Sequence, residues 1–217
     1  MSKAKALILG FLLLVPLLIF AFISIFGVHH FTLKTYFPEV DMSGEVIYDA
    51  SGDTVFQQVP DFSLTSLQRG QFTALDLKGA ITVVQFFETA CPECSEISSQ
   101  LVRLQEAFEE FPEVKFVSIT VNPERDSTAV LQQYAATYGA KAGKWYVLTG
   151  DREEILALAQ QGFRLPVGKQ RVLVTENLML LDKERKVRGI YNGTKQKEID
   201  RLVTEINVLR DEYGKRK

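Results

Sequence analysis

The run ITVVQFF, residues 81–87, carries no charged side chain, and only Glu88, Thr89 and Ala90 separate it from Cys91-Pro92-Glu93-Cys94. Its length and β-branched content suit a strand buried on both faces, where a half-exposed strand would alternate with polar residues. Beyond the cysteines, Ile97, Leu101, Leu104, Phe108 and Phe111 recur at helical spacing until Pro112 closes the pattern. A buried strand that turns directly into a helix belongs in a sheet covered by helices.

The rest of the chain repeats that logic. KFVSITV (115–121) reads as a second buried strand. DSTAVLQQYAATYGA reads as a helix, with Asp126 or Ser127 as its cap and Gly139 at its end. KWYVLTG gives a strand and DREEILALAQQGF a helix; NLMLLD and VRGIYNG form an antiparallel pair around KERK, and KEIDRLVTEINVLRDEYG is a terminal amphipathic helix. Upstream, EVIYDASGDTVFQQV reads as a hairpin about Ala50-Ser51-Gly52-Asp53, followed by short extended pieces in VPDFSLTSL and QFTALDL. The expected class is α/β: a mixed sheet flanked by helices, with an N-terminal hairpin.

Residues 6–28 contain no charged side chain. At about 1.5 Å per residue they make about 34 Å of helix, against roughly 30 Å of hydrocarbon core. Lys3 and Lys5 precede the span, which predicts residues 1–5 in the cytoplasm and the remainder outside. A cleaved signal peptide has a shorter apolar core and a small-x-small site, and SIFGVHHF supplies no such site. No cysteine follows the span before Cys91, so a lipid-modified cysteine does not replace it. The expected organisation is a transmembrane helix in the cytoplasmic (inner) membrane over 6–28, a tether over 29–45, a folded domain over 46–213 and a basic tail over 214–217. The charge balance, 25 Lys+Arg against 27 Asp+Glu, offers no basic face for nucleic acid.

Cys91 and Cys94 are the only cysteines, and three chemistries compete for them. As a staple the pair closes a loop too short to remove much unfolded-state entropy. As half of a zinc site it lacks partners, because the only histidines, His29 and His30, stand at the end of the apolar span. As a redox couple the spacing is apt: Cys91 meets a helix N-terminus that favours its thiolate, and Cys94 lies one turn on, placed to resolve a mixed disulfide. Glu93, with Glu88 and Glu96 nearby, opposes thiolate formation. A less stabilised reduced form is a stronger reductant, so the couple is expected to be reducing.

The stretches VPDFSLTSL, LKGAITVVQFFETACPEC, FVSITVNPERDSTAVLQQYAATYGA, KWYVLTGDREEI and LMLLDKERKVRGIYNGT together resemble the SCO/SenC family. The resemblance runs from about residue 46 to 210, and VNPERDSTAVLQQYA is its most specific part. It implies a thioredoxin-like fold, a membrane anchor and a role in building the copper site of cytochrome c oxidase.

The chain departs from the family pattern in two places. The family's copper motif is C-x-x-x-C, one residue longer than Cys91-Pro92-Glu93-Cys94. The family's metal-binding histidine corresponds to Val174, which cannot ligate a metal. The cis-proline that faces the cysteines in thioredoxin folds generally is also absent, in keeping with the resemblance: its position falls near Glu176, and Pro166 lies too far upstream to replace it. No cofactor is required on this reading; Cu(I) held by Cys91 and Cys94 alone remains the metal alternative. The expected function is therefore thiol–disulfide exchange with an exported cysteine pair, and the family suggests one on an oxidase subunit or assembly factor. The alternatives are a Cu(I) chaperone and an assembly adaptor without chemistry.

Other residues carry milder expectations. Glu88 is a candidate proton shuttle for Cys94. Trp145 and Tyr146 read as packing residues, as do Tyr191 and Asn192, and His29 and His30 as polar residues ending the span. Asp126 reads either as a helix cap or, by resemblance to the family, as a residue lining the site.

Overall fold

A computed structural model describes residues 11–12, 14–22, 32–166 and 176–214. The chain divides into two units, Met1–Thr32 and Leu33–Lys217. In the first, residues 14–22 are helical, with Leu14, Leu17, Leu18, Phe20 and Phe22 exposed. Among the described residues no helix is long and apolar enough to cross a membrane. The span expected over 6–28 runs past the described residues at both ends, and Lys3, Lys5, His29, His30 and Lys215 to Lys217 lie outside them.

The second unit is built on seven strands: β1 (Ser63–Ser66), β2 (Gly70–Thr73), β3 (Ile81–Phe87), β4 (Val114–Thr120), β5 (Trp145–Thr149), β6 (Asn177–Leu181) and β7 (Val187–Asn192), in the spatial order β2-β1-β5-β4-β3-β6-β7. The central β3, β4 and β5 are parallel; β6 joins β3 antiparallel and pairs with β7. Every residue of β3 is buried. Ile81, Val83 and Phe87 meet the helices α1 (Pro92–Ala107), α2 (Thr128–Thr137) and α4 (Gln196–Gly214) through Ile97, Leu101, Leu131, Leu202 and Ile206. Val84 and Phe86 face the other layer, where α3 (Arg152–Ala157) and the β1–β2 hairpin supply Ile155, Leu64 and Phe72. The two-sided burial of β3 is what its unbroken apolar run requires.

Two segments differ from the sequence reading. The expected hairpin about Ala50–Asp53 is present, and a second one precedes it, joined by bridges Val40↔Val46, Pro38↔Phe56 and Tyr48↔Thr54. Asp41 and Asp49 close the two turns, each accepting backbone N–H bonds two and four residues on. Leu33 is already in the core, held where Arg188 donates to its carbonyl at 2.8 Å and pairs with Asp182 and Glu212. Packing thus begins at Leu33, within the stretch expected to be a tether, because paired stretches this short leave no periodicity to read. DREEILALAQQGF does not run as one α-helix. Asp151 caps α3, which passes at Leu158 into a single π turn ending at Gly162.

Glycine allows two close approaches near β7. A Cβ on Gly189 would collide with the Tyr191 ring, and one on Gly193 would stand 2.9 Å from Ile97 and 3.2 Å from the Glu176 carbonyl. The second approach brings the end of β7 against α1, at the cysteine end of the sheet.

Candidate functional site

The β3–β4 ladder runs one residue beyond the strands, with Val121 N–H donating to Phe87 O at 2.8 Å. Glu88, Thr89 and Ala90 then turn the chain, and Cys91 N–H reaches Glu88 O at 3.3 Å. Pro92 opens α1 at a position where its fixed φ fits and no N–H is needed. Cys91 is the N-cap: its Sγ accepts a hydrogen bond from Cys94 N–H at 3.0 Å. The two cysteines form a disulfide. Cys94 is buried at 2% exposure, whereas Cys91 is half-buried, so Cys91 is the more accessible of the two to an incoming partner.

Carboxylates surround this bond. Glu93 Oε2 lies 3.7 Å from Cys91 Sγ. A cavity of about 340 Å³ opens on the disulfide and is lined by Glu88, Ala90, Cys91, Pro92, Glu93, Cys94, Ile97 and Glu176. A second, of about 310 Å³, reaches Cys94 from the α2 side, between Thr89, Ser95, Gln133, Tyr134 and Tyr138. Glu88 lines both, and its carboxylate accepts from Asn122 Nδ2 at 3.2 Å. Among the described residues neither cavity is lined by a Lys, Arg or His.

Below the disulfide lies a buried polar chain. Ser98 Oγ donates to Cys94 O at 2.6 Å and shares a hydrogen bond with the Tyr134 hydroxyl at 2.5 Å. Burial pushes the Tyr134 phenol well above its ordinary value, so it stays neutral. Trp145 Nε1 donates to Ser118 Oγ at 2.9 Å on the same side of the sheet.

The candidates named from sequence come together unevenly. Cys91, Cys94 and Glu88 share one site, and Glu176, counted as the cis-proline position, lines the same cavity. There is no cis peptide among the described residues, and Pro166 is exposed. Val174 lies outside the described residues. Trp145 and Tyr146 are buried packing residues; Tyr191 is buried and bonds Glu205, while Asn192 donates to Glu176 Oε2 at 2.7 Å. The helix cap is Ser127, whose Oγ accepts from Val130 N–H, so Asp126 is free for another task. Asp126 is 1% exposed and accepts hydrogen bonds from Thr89 and Thr120. Its pairing with Thr89 spans 37 residues, and no local pattern announces it. Among the described residues, no group of three or more His, Cys, Asp and Glu is placed to hold a metal.

A mixed sheet whose central parallel strand delivers a Cys-x-x-Cys disulfide to the tip of the following helix defines a thioredoxin-like domain. The family model described as SCO1/SenC matches residues 51–209, and the chain belongs to that family. Among solved structures it is similar to a SCO1/SenC family lipoprotein from Bacillus anthracis, at 26% identity and a TM-score of 0.64 over 70% of this chain and 95% of that one. It is similar also to BsSco, described as carrying a disulfide switch and as a member of the Sco family of cytochrome c oxidase assembly proteins, at 25% identity and a TM-score of 0.59 over 70% of this chain and 92% of that one. ScoI of Arabidopsis thaliana, solved with copper bound, shares the fold at 24% identity and a TM-score of 0.59, over 71% of this chain and 99% of that one.

Proposed function

We propose that this chain is an exported, membrane-anchored thiol–disulfide reductant. Residues 6–28 form the anchor and the domain stands on the outer side of the cytoplasmic membrane. Its partner is a cysteine pair on a cytochrome c oxidase subunit or assembly factor, where copper ligands must be reduced before metal binds. The observation that carries this reading is the asymmetry of the disulfide: Cys91 is accessible and capped by Cys94 N–H, while Cys94 is buried beneath it.

In the reduced protein the Cys91 thiolate attacks one sulfur of the partner disulfide. The other partner sulfur leaves as a thiolate and takes up a proton. Cys94 then loses its proton, with Glu88 as the nearby acceptor, and attacks Cys91 Sγ in the mixed disulfide. The second partner thiol is released, and the chain is left with the Cys91–Cys94 disulfide. Two electrons have passed to the partner, and an exported dithiol reductant must return them for another turnover. The Cys94→Ser full chain, reduced and mixed with a disulfide-bonded peptide, is expected to accumulate a mixed disulfide through Cys91. Equal trapping by Cys91→Ser contradicts the assigned order.

A second reading rests on the copper-bound ScoI. Two reduced sulfurs suit soft Cu(I), with any third ligand supplied by the recipient, and copper is then cargo passed between proteins. Competition for Cu(I) by the reduced full chain, with Cys91→Ser beside it, tests this. Tight one-to-one binding that vanishes in the variant supports the chaperone; no binding above the competitor leaves exchange alone.

A further inference from the structure

The turn that presents Cys91 has little support of its own. Between the end of β3 and Cys91, the only internal hydrogen bond among the described residues is the long one from Cys91 N–H to Glu88 O, at 3.3 Å. The remaining support comes from the β4–α2 connection. Asp126 Oδ1 accepts from the Thr89 hydroxyl at 2.5 Å, and Asp126 Oδ2 accepts from Thr89 N–H at 3.2 Å. Thr120 Oγ1 donates to the same Oδ2 at 2.6 Å, and Asp126 N–H donates to Asn122 O at 2.9 Å, so the carboxylate cannot swing away. Hydrogen bonds to an ionised acceptor are roughly twice as strong as neutral ones, and a buried charge persists only when its oxygens are satisfied. Thr89 is therefore fixed from behind, two residues before the outer sulfur.

We infer that Asp126 is a positioning residue for the redox pair, acting through Thr89 to hold Cys91 over Cys94. This rests on the exchange reading above. Holding the turn raises the effective concentration of one sulfur at the other, which favours the disulfide over the dithiol. The clamp thereby makes the couple more reducing without touching either sulfur.

Thr89→Val removes the hydroxyl and leaves the charge and the backbone bond in place. Asp126→Asn removes the charge as well and sets an amide N–H₂ against donors. Thr89→Ser restores the hydroxyl. The exchange equilibrium of each full-chain variant with glutathione is compared with the parent, together with the denaturant midpoints of the oxidised and reduced forms. Thr89→Val and Asp126→Asn are expected to shift exchange toward the dithiol by about tenfold, which is about 30 mV for a two-electron couple. The oxidised form should lose more stability than the reduced form, and Thr89→Ser should match the parent. Equal stability losses in both redox forms, with an unmoved equilibrium in Thr89→Val, overturn the clamp. A parent disulfide that never equilibrates with glutathione contradicts the exchange reading instead. The difference between oxidised and reduced midpoints reads the clamp in either case.

Discussion

Cys91 Sγ accepts the Cys94 N–H at 3.0 Å, so the outer sulfur of the disulfide is also the cap of the helix that follows it. Reduction leaves a thiol whose ionised form keeps that bond and gains from the helix dipole. Glu93 Oε2, 3.7 Å from the same sulfur, acts in the opposite direction. Which effect prevails sets the direction of electron flow, and Glu93 has a decisive share in it. Glu93→Gln is expected to favour the Cys91 thiolate and shift exchange with glutathione toward the dithiol by about threefold, less in high salt. An unchanged equilibrium at low ionic strength removes Glu93 from the account.

Glu88 is the one carboxylate that lines both cavities beside the disulfide. As the group that takes the Cys94 proton, it should affect rate and not stability. Glu88→Gln is expected to slow disulfide closure by about tenfold or more while leaving the unfolding midpoint in place. Parent-like closure rates across neutral pH return Glu88 to a structural role, as the partner of Asn122.

Gly193 shows how tightly the site end of the sheet is assembled. Its N–H donates to Glu176 O at 2.7 Å, and a Cβ would press on Ile97 at 2.9 Å. Gly193→Ala is expected to cost about 1–3 kcal/mol through overpacking. Because α1 yields to relieve the clash, chemical shifts of Cys94 and Glu176 should move with it. Wild-type stability in that variant means that β7 relaxes outward instead.

Alkaline pH should destabilise the domain through two phenols. Burial pushes both Tyr134 and Tyr191 upward from the ordinary 10.0, and for Tyr191 the Glu205 carboxylate adds to the shift. Above that ordinary value the unfolded chain releases these protons while the folded one keeps them. Their stabilisation is thus complete below about pH 10 and declines as pH rises, by up to about 1.4 kcal/mol per pH unit for each tyrosine. Denaturant midpoints from about pH 9 to about pH 11 should fall, and fall less steeply in Tyr191→Phe. A parent slope retained in full by that variant assigns the loss to other groups.

What the sequence disclosed depended on how local the cause was. The strand at 81–87, the helix after Cys91 and the β6–β7 pair carry their hydrophobic period or turn within themselves, and each formed where that pattern placed it. Cys91 and Cys94 were legible for the same reason, since strand, turn and helix are contiguous. Asp126 was named as a cap or a site residue, but its partner was not legible: its choice of Thr89 is made 37 residues away, and Ser127 took the cap. The hairpin that precedes the expected one escaped because an isolated bridge such as Val40↔Val46 is too short to show alternation. Glu176 was counted as the position of a cis-proline that would face the cysteines, and it does line their cavity, but nothing in its neighbours indicated that a carboxylate there would bond Asn192.

The measurement that bears most directly on the central claim is the redox midpoint of the Cys91–Cys94 couple. It is read on the full chain in detergent by trapping free thiols across a series of defined thiol–disulfide buffers. A reducing couple gives a single two-electron transition close to the value of about −270 mV known for thioredoxin. A midpoint near the oxidising value of about −120 mV, or a pair of thiols that never closes, contradicts it.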